Sequence, residues 1–171
     1  YRVSFFGGGT DLPEYFCKNG GVVLSCAISR FCNICYSRDD FSAPGYLQFS
    51  WSKIERAIRS SEVQHPTVRN AFRYFDVDVP LVLSHLGEMP AGTGIGSSSA
   101  FAVTLVQMIS ELKGLELSLQ DIAYEAFHIE RNLNCEKVGM QDHIASAFGG
   151  LNLISFHSGS VVNRNSFSVR P

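Results

Sequence analysis

The chain has 171 residues, a formal net charge of −2, 45% hydrophobic residues and 18% charged residues. That length and balance suit one folded domain with a sizeable core and exclude a disordered chain. The absence of a basic excess argues against nucleic acid as a partner, and no apolar run approaches the roughly 18–20 residues that a membrane span needs. Five cysteines, an odd number at irregular spacing, predict reduced thiols and a cytoplasmic protein.

Residues 1–6 (YRVSFF) read as a strand. Because the chain opens inside it, residues lying upstream are expected. Gly7-Gly8-Gly9-Thr10-Asp11 breaks the strand into a loop, Pro13 to Phe16 starts a helical turn, and Gly20-Gly21 turns the chain. Residues 22–37 are rich in β-branched and apolar side chains and read as one or two strands. Cys32 and Cys35 fall in this run, where a spacing of three sends side chains to opposite faces and speaks against a metal pair. Residues 38–46, with Asp39-Asp40 and Pro44-Gly45, read as a loop.

Ser52 and Glu55 have capping-box spacing, and Ile54, Ala57 and Ile58 share a helical face, so a short helix is expected there. After His65-Pro66, the residues Val68, Ala71, Phe72 and Phe75 form the stripe of another helix. Residues 79–86 read as a strand interrupted near its start by Pro80, and residues 100–112 as a strongly apolar helix ending near Gly114. Ser118 caps a helix over 119–133 whose core stripe is Ile122, Ala126, Ile129 and Leu133. A short helix over 141–148 stops at Gly149-Gly150, and residues 151–156 and 160–169 close as a hairpin through His157-Ser158-Gly159-Ser160. Irregular alternation of strands and helices, with hairpins at both ends, predicts an α+β fold rather than a doubly wound sheet.

Between the strand and the apolar helix lies Pro90-Ala-Gly-Thr-Gly-Ile-Gly-Ser-Ser-Ser-Ala100. A helix start exposes unpaired N–H groups and about half a positive charge, which favour an anion. Gly92, Gly94 and Gly96 allow close backbone approach, and Ser97, Ser98 and Ser99 place hydroxyls in the first turn. The pattern is neither Walker A, which needs a lysine after its last glycine, nor the dinucleotide fingerprint G-x-G-x-x-G. A nucleotide phosphate can be held here without lysine if Mg²⁺ supplies the charge, with oxygen ligands from the protein.

Acidic residues in three places meet that need. Glu130 falls about 80° from the centre of the apolar stripe on the 119–133 helix, at its edge, where it reads either as a metal ligand or as a solvated side chain. Asp142, at the start of the short helix, reads either as a structural acid or as the acceptor of a substrate hydroxyl proton, with its neighbour His143 a rival base. Asp11, after the triple glycine, joins loop amides in a cluster suited to a polyol, though an aspartate in a glycine turn is also common. Arg2 on the incoming strand reaches a carboxylate or a phosphoryl group.

Three segments in order, RVSFFGGGTDLPEYF, PAGTGIGSSSAF and IERNLNCEKVGMQDHIASAFGG, resemble the signature regions of the GHMP small-molecule kinases. The Gly-Gly-Gly-Thr-Asp form of the first, with V-G-x-Q-D and A-F-G-G-x-N, is most similar to the D-glycero-D-manno-heptose 7-phosphate kinases and related fucokinase domains. The resemblance implies an N-terminal GHMP domain over residues 1–171, folded like the second domain of ribosomal protein S5 with a left-handed βαβ unit. It places the C-terminal domain outside this chain. It implies ATP-dependent phosphorylation of the anomeric hydroxyl of a sugar phosphate, D-glycero-D-manno-heptose 7-phosphate first. A fucose or galactose kinase, or a non-catalytic nucleotide-binding relative, is the alternative. Carried over, Asp142 is the catalytic base with Arg2 polarising it. Pro90, Gly92, Gly94, Gly96 and Ser97 to Ser99 wrap ATP, and Ser98 and Glu130 hold Mg²⁺. Gly8, Gly9, Thr10, Asp11 and Asp142 contact the sugar. Cys135 and His143 depart from the glycine and glutamine usual in relatives. Arg69 and Arg73 are candidates for a substrate's 7-phosphate, and a homodimer stays open.

Overall fold

A computed structural model describes residues 1–38, 46–90, 92–157 and 162–167. Of the loop expected over 38–46, residues 39–45 lie outside the described residues, as do residues 158–161 and 168–169 of the closing hairpin and residue 91.

Two four-stranded sheets flank a layer of helices, which makes the fold α+β as expected. The first sheet runs β1 (Arg2–Phe6), β2 (Gly21–Ala27), β7 (Leu151–Phe156), β8 (Val162–Phe167), all antiparallel. The second runs β3 (Cys32–Arg38), β6 (Leu81–Gly87), β4 (Leu47–Ser50), β5 (Ile54–Ala57), with β4 and β6 parallel. Residues 22–37 are therefore two strands, and they belong to different sheets. The helices are α1 (Pro13–Asn19), α2 (Pro66–Tyr74), α3 (Ser97–Lys113), α4 (Leu119–His128) and α5 (Gln141–Phe148).

The larger core joins the second sheet to α2, α3 and α4 through Phe49, Phe72, Leu83, Leu105 and Ile109. The smaller core joins β2 and β7 to α4 and α5 through Val23, Ile154, Phe156, Ala123 and Ile144. Period-2 alternation on β7 puts Asn152, Ile154 and Phe156 inside. Helix α3 thus packs on one sheet and α5 on the other, and the starts of both helices come together, with Gly96 beside Asp142.

Two expected elements change. The helix predicted around residues 52–58 is strand β5, which pairs antiparallel with β4 from Leu47↔Ala57 to Ser50↔Ile54. Alternation decides it: Glu55 and Ala57 are buried, while Ile54 and Ile58 are exposed. Glu55 is held by Trp51 Nε1 at 2.9 Å and by the Gln64 amide at 2.6 Å, so its spacing from Ser52 serves a hairpin and not a cap. The second change is that helix 119–133 is not α-helical throughout. It begins on a full capping box between Ser118 and Asp121, but residues Ile129–Leu133 form one π-helical turn. The wider turn carries Leu133 out of the core. Glu130, seven residues after the buried Ala123 and four after Ala126, lies on the helix's buried face and is 0% exposed.

Candidate functional site

The glycine-serine loop, the start of α3 and the start of α5 border one cleft of about 460 Å³. Gly92, Gly94, Gly96, Ser97, Ser98, Arg2 and Asp142 all line it. Strand β1 is tied to the loop by the Arg2 amide, which donates to Ile95 O at 3.1 Å. The Arg2 side chain then bridges the two halves of the site. Its Nε donates to Asp142 Oδ1 at 2.5 Å and its Nη1 to Gly94 O at 3.1 Å.

Gly96 is the N-cap of α3 at φ 76°, a left-handed backbone that favours glycine, and no side chain caps this helix start. A Cβ on Gly96 would lie 3.1 Å from Asp142 Oδ2. The glycine therefore lets the carboxylate stand directly against the loop. The uncapped start of α3 and the Asp142 carboxylate are presented to the same space.

Glu130 lies behind this wall. Ser99 Oγ donates to its Oε2 at 2.7 Å, and His143 Nε2 lies 2.8 Å from the same oxygen. Its other oxygen, Oε1, is buried without a partner. Burial works against the charged form, yet the contacts with His143, Ser99 and Ser98 win and hold its carboxyl below the usual glutamate range. A free carboxylate oxygen beside the Ser98 hydroxyl fits a hard, oxygen-seeking cation such as Mg²⁺. Ser99 itself is buried, its hydroxyl engaged with Glu130 and not directed at the cleft. His143 likewise faces inward and is no rival to Asp142.

The triple-glycine loop is placed differently from the expectation. Asp11 is 2% exposed. Its Oδ1 accepts from the Gly9 amide at 3.1 Å and from Gln141 Nε2 at 2.9 Å, and its Oδ2 from the Gln141 amide at 3.1 Å. A Cβ at Gly139 would come within 1.9 Å of Asp11 Oδ2, so only glycine admits this contact. Ser4 Oγ bonds the remaining Gln141 oxygen at 2.5 Å. Asp11 is thereby a tether on the first turn of α5. Thr10 Oγ1 is also engaged, donating to Gly7 O at 2.8 Å and accepting from the Val22 amide at 3.2 Å. Gly8 and Gly9 are exposed.

The far wall of the cleft escaped the sequence reading. Trp51, His65, His85 and Phe101 line it as an aromatic cluster, with the His65 ring 4.8 Å from Trp51 and 5.1 Å from Phe101. Burial lowers the pKa of both histidines from 6.5, so they are neutral near pH 7. One signal was available: Phe101 follows Ser97 and Ser98 by four and three residues, which is the same helical face. Arg69 and Arg73 line no part of the cleft; Arg69 bonds the carbonyls of Val63 and Gln64 at 3.0 and 3.3 Å. A second cleft of about 440 Å³, lined by residues such as Phe16, Tyr74 and Tyr124, holds none of these groups. Among the described residues, no helix is long and apolar enough to cross a membrane.

On this α+β fold an uncapped helix start thus faces an arginine-held carboxylate across one cleft. The family described as GHMP kinases N terminal domain matches residues 60–150, more than half of the chain. The chain belongs to that family. It is 27% identical over 179 aligned positions to the D-glycero-alpha-D-manno-heptose 7-phosphate kinase of Campylobacter jejuni, an alignment covering 99% of this chain and 52% of that protein. It is 31% identical over 125 positions to the mevalonate kinase of Pyrococcus horikoshii, covering 69% of this chain and 37% of that protein. Its fold matches the crystal structure of a D-glycero-D-manno-heptose 1-phosphate kinase from Bacteroides thetaiotaomicron with a TM-score of 0.88 at 22% identity, covering 99% of this chain and 58% of that one. The chain thus spans about half the length of its heptose-kinase relatives.

Proposed function

We propose that this domain binds ATP with Mg²⁺ and serves a kinase that phosphorylates a sugar phosphate, first of all D-glycero-D-manno-heptose 7-phosphate at its anomeric hydroxyl. One observation carries the reading: Arg2 joins the Asp142 carboxylate to the glycine loop at 2.5 and 3.1 Å, so a proton acceptor and a phosphate cradle share one cleft. The heptose enters from the relative that aligns with 99% of the chain.

Open amides of the loop and of the first turn of α3 receive the β- and γ-phosphates, and the Ser97 and Ser98 hydroxyls add donors. The aromatic wall of Trp51, His65 and Phe101 offers the nucleobase a face to stack on. Ser98 and Glu130 would hold Mg²⁺, which when bound neutralises developing charge on the phosphates. Asp142 accepts the proton of the attacking hydroxyl. Arg2 fixes the position of that carboxylate and lends positive charge beside the transferring group. The sugar approaches along Gly8 and Gly9, where the triple-glycine loop is exposed.

ADP release measured with a panel of heptose phosphates, galactose and fucose tests this, with Asp142→Ala as the blank. Sugar-dependent ADP formation well above the blank is expected. A rate no higher than the blank for every member of the panel would overturn it.

A further inference from the structure

Glu130 presents two oxygens in unlike states. Ser99 Oγ and His143 Nε2 converge on Oε2 at 2.7 and 2.8 Å, while Oε1 has no partner. Both Glu130 and His143 are 0% exposed, and among the described residues no lysine or arginine pairs with this carboxylate. Helical spacing puts the side chain inward, seven residues after the buried Ala123 and four after Ala126. An ionised carboxylate is an acceptor only, so the Nε2 of His143 carries the proton and donates it. Phe127 packs edge-on against the ring, with centroids 5.5 Å apart.

Such an arrangement locks one oxygen and leaves the other as a single-point ligand. We propose that His143, together with Ser99, is a positioning residue for the cation that Glu130 would hold with Ser98: by anchoring Oε2 it leaves Oε1 free as the ligand atom. This rests on the reading of Glu130 as a metal ligand. His143 touches neither substrate nor cation and acts through Glu130. Successive helical positions diverge by about 100°, so one short helix, α5, sends Asp142 into the cleft and His143 into the core. The base and the support of the metal ligand are thereby fixed to one rigid element. The role asks for an N–H donor at this reach and not for an imidazole as such, and a glutamine side chain also carries one.

The test is the dissociation constant of Mn²⁺, read by electron paramagnetic resonance in the presence of a non-hydrolysable ATP analogue. Metal-free binding of the analogue and the circular dichroism spectrum are recorded alongside. His143→Leu removes the donor at similar volume and is expected to weaken Mn²⁺ binding about 10- to 100-fold, with analogue binding and spectrum unchanged. His143→Gln is expected to stay within about threefold of wild type, since the donor is kept. Wild-type Mn²⁺ affinity in His143→Leu, when Glu130→Gln has lost it, would overturn the positioning role alone. Unchanged affinity in Glu130→Gln would overturn the metal-ligand reading and the proposal with it. If His143→Leu does not fold, Ser99→Ala carries the test at the same oxygen: a several-fold loss supports the proposal, and wild-type affinity overturns it.

Discussion

Two glycine-rich loops of this domain look alike in sequence and differ in what their polar groups do. In residues 7–11 the hydroxyl of Thr10 and the carboxylate of Asp11 are taken up by partners inside the protein: Gly7, Gly9, Val22 and Gln141. In residues 92–98 Arg2 engages the carbonyls of Gly94 and Ile95, but no side chain caps the helix that follows, and the loop lines a cleft. A buried polar group must find a partner within the protein, whereas a binding loop keeps its groups for a ligand. Where each donor goes therefore separates a loop that builds the site from a loop that fills it.

The strongest way to break this contrast is Asp142→Ala. On the binding side, loss of the base is expected to lower the rate of phosphoryl transfer by about 10²- to 10⁴-fold, while ATP binding, measured by calorimetry, stays near wild type. A next test is Gly96→Val, which places branched carbons where a Cβ already lies 3.1 Å from Asp142 Oδ2 in a left-handed backbone. It is expected to abolish measurable ATP binding, and unaltered affinity would show that the loop is not the cradle.

On the building side, Asp11→Ala leaves the Gly9 and Gln141 amides and the Gln141 side chain without their acceptor. The two Gln141 donors are buried, and a buried donor costs about 1–3 kcal/mol when orphaned. A fall in unfolding free energy on the order of 3 kcal/mol is expected in denaturant titration. A side chain that merely contacted sugar would leave stability untouched.

The smallest effect concerns the neutral histidines of the aromatic wall. Burial holds the folded-state pKa of His65 and His85 below 6.5, so below that pH the unfolded chain binds more protons than the folded one. Their contribution is present above pH 6.5 and is lost as pH falls through the lowered values. His65→Gln with His85→Gln should flatten the pH dependence of stability below pH 6.5. An unchanged slope would show the imidazoles to be unimportant there.

Much of the frame was legible in the sequence. The stripe of Val68, Ala71 and Phe72, the apolar helix after the serines and the stop at Gly149-Gly150 follow from period and punctuation, which are local. The order of three motifs was legible too, and it named the family. What stayed hidden depends on distant partners. Four residues around Ile54 carry too little pattern to tell a hairpin strand from a helical turn, and pairing with β4 decides it. Glu130 reads as a helix-edge residue because the stripe of Ile122, Ala126, Ile129 and Leu133 leaves out Ala123, which is buried on the same side. Asp11 was read as a free carboxylate because Gln141, 130 positions away, is invisible from its own loop. The wall of Trp51, His65, His85 and Phe101 gathers residues from separate elements, and no spacing rule connects them.

The central claim is that ATP phosphates sit on residues 92–98 and not on residues 7–11. The most direct measurement is a titration of the ¹⁵N-labelled protein with Mg²⁺ and a non-hydrolysable ATP analogue, following backbone amide shifts. The largest changes are expected at Gly92, Gly94, Gly96, Ser97 and Ser98, with Gly9 and Gln141 near their starting positions. Large shifts at Gly9 and Gln141 with the glycine-serine amides unmoved would contradict the account.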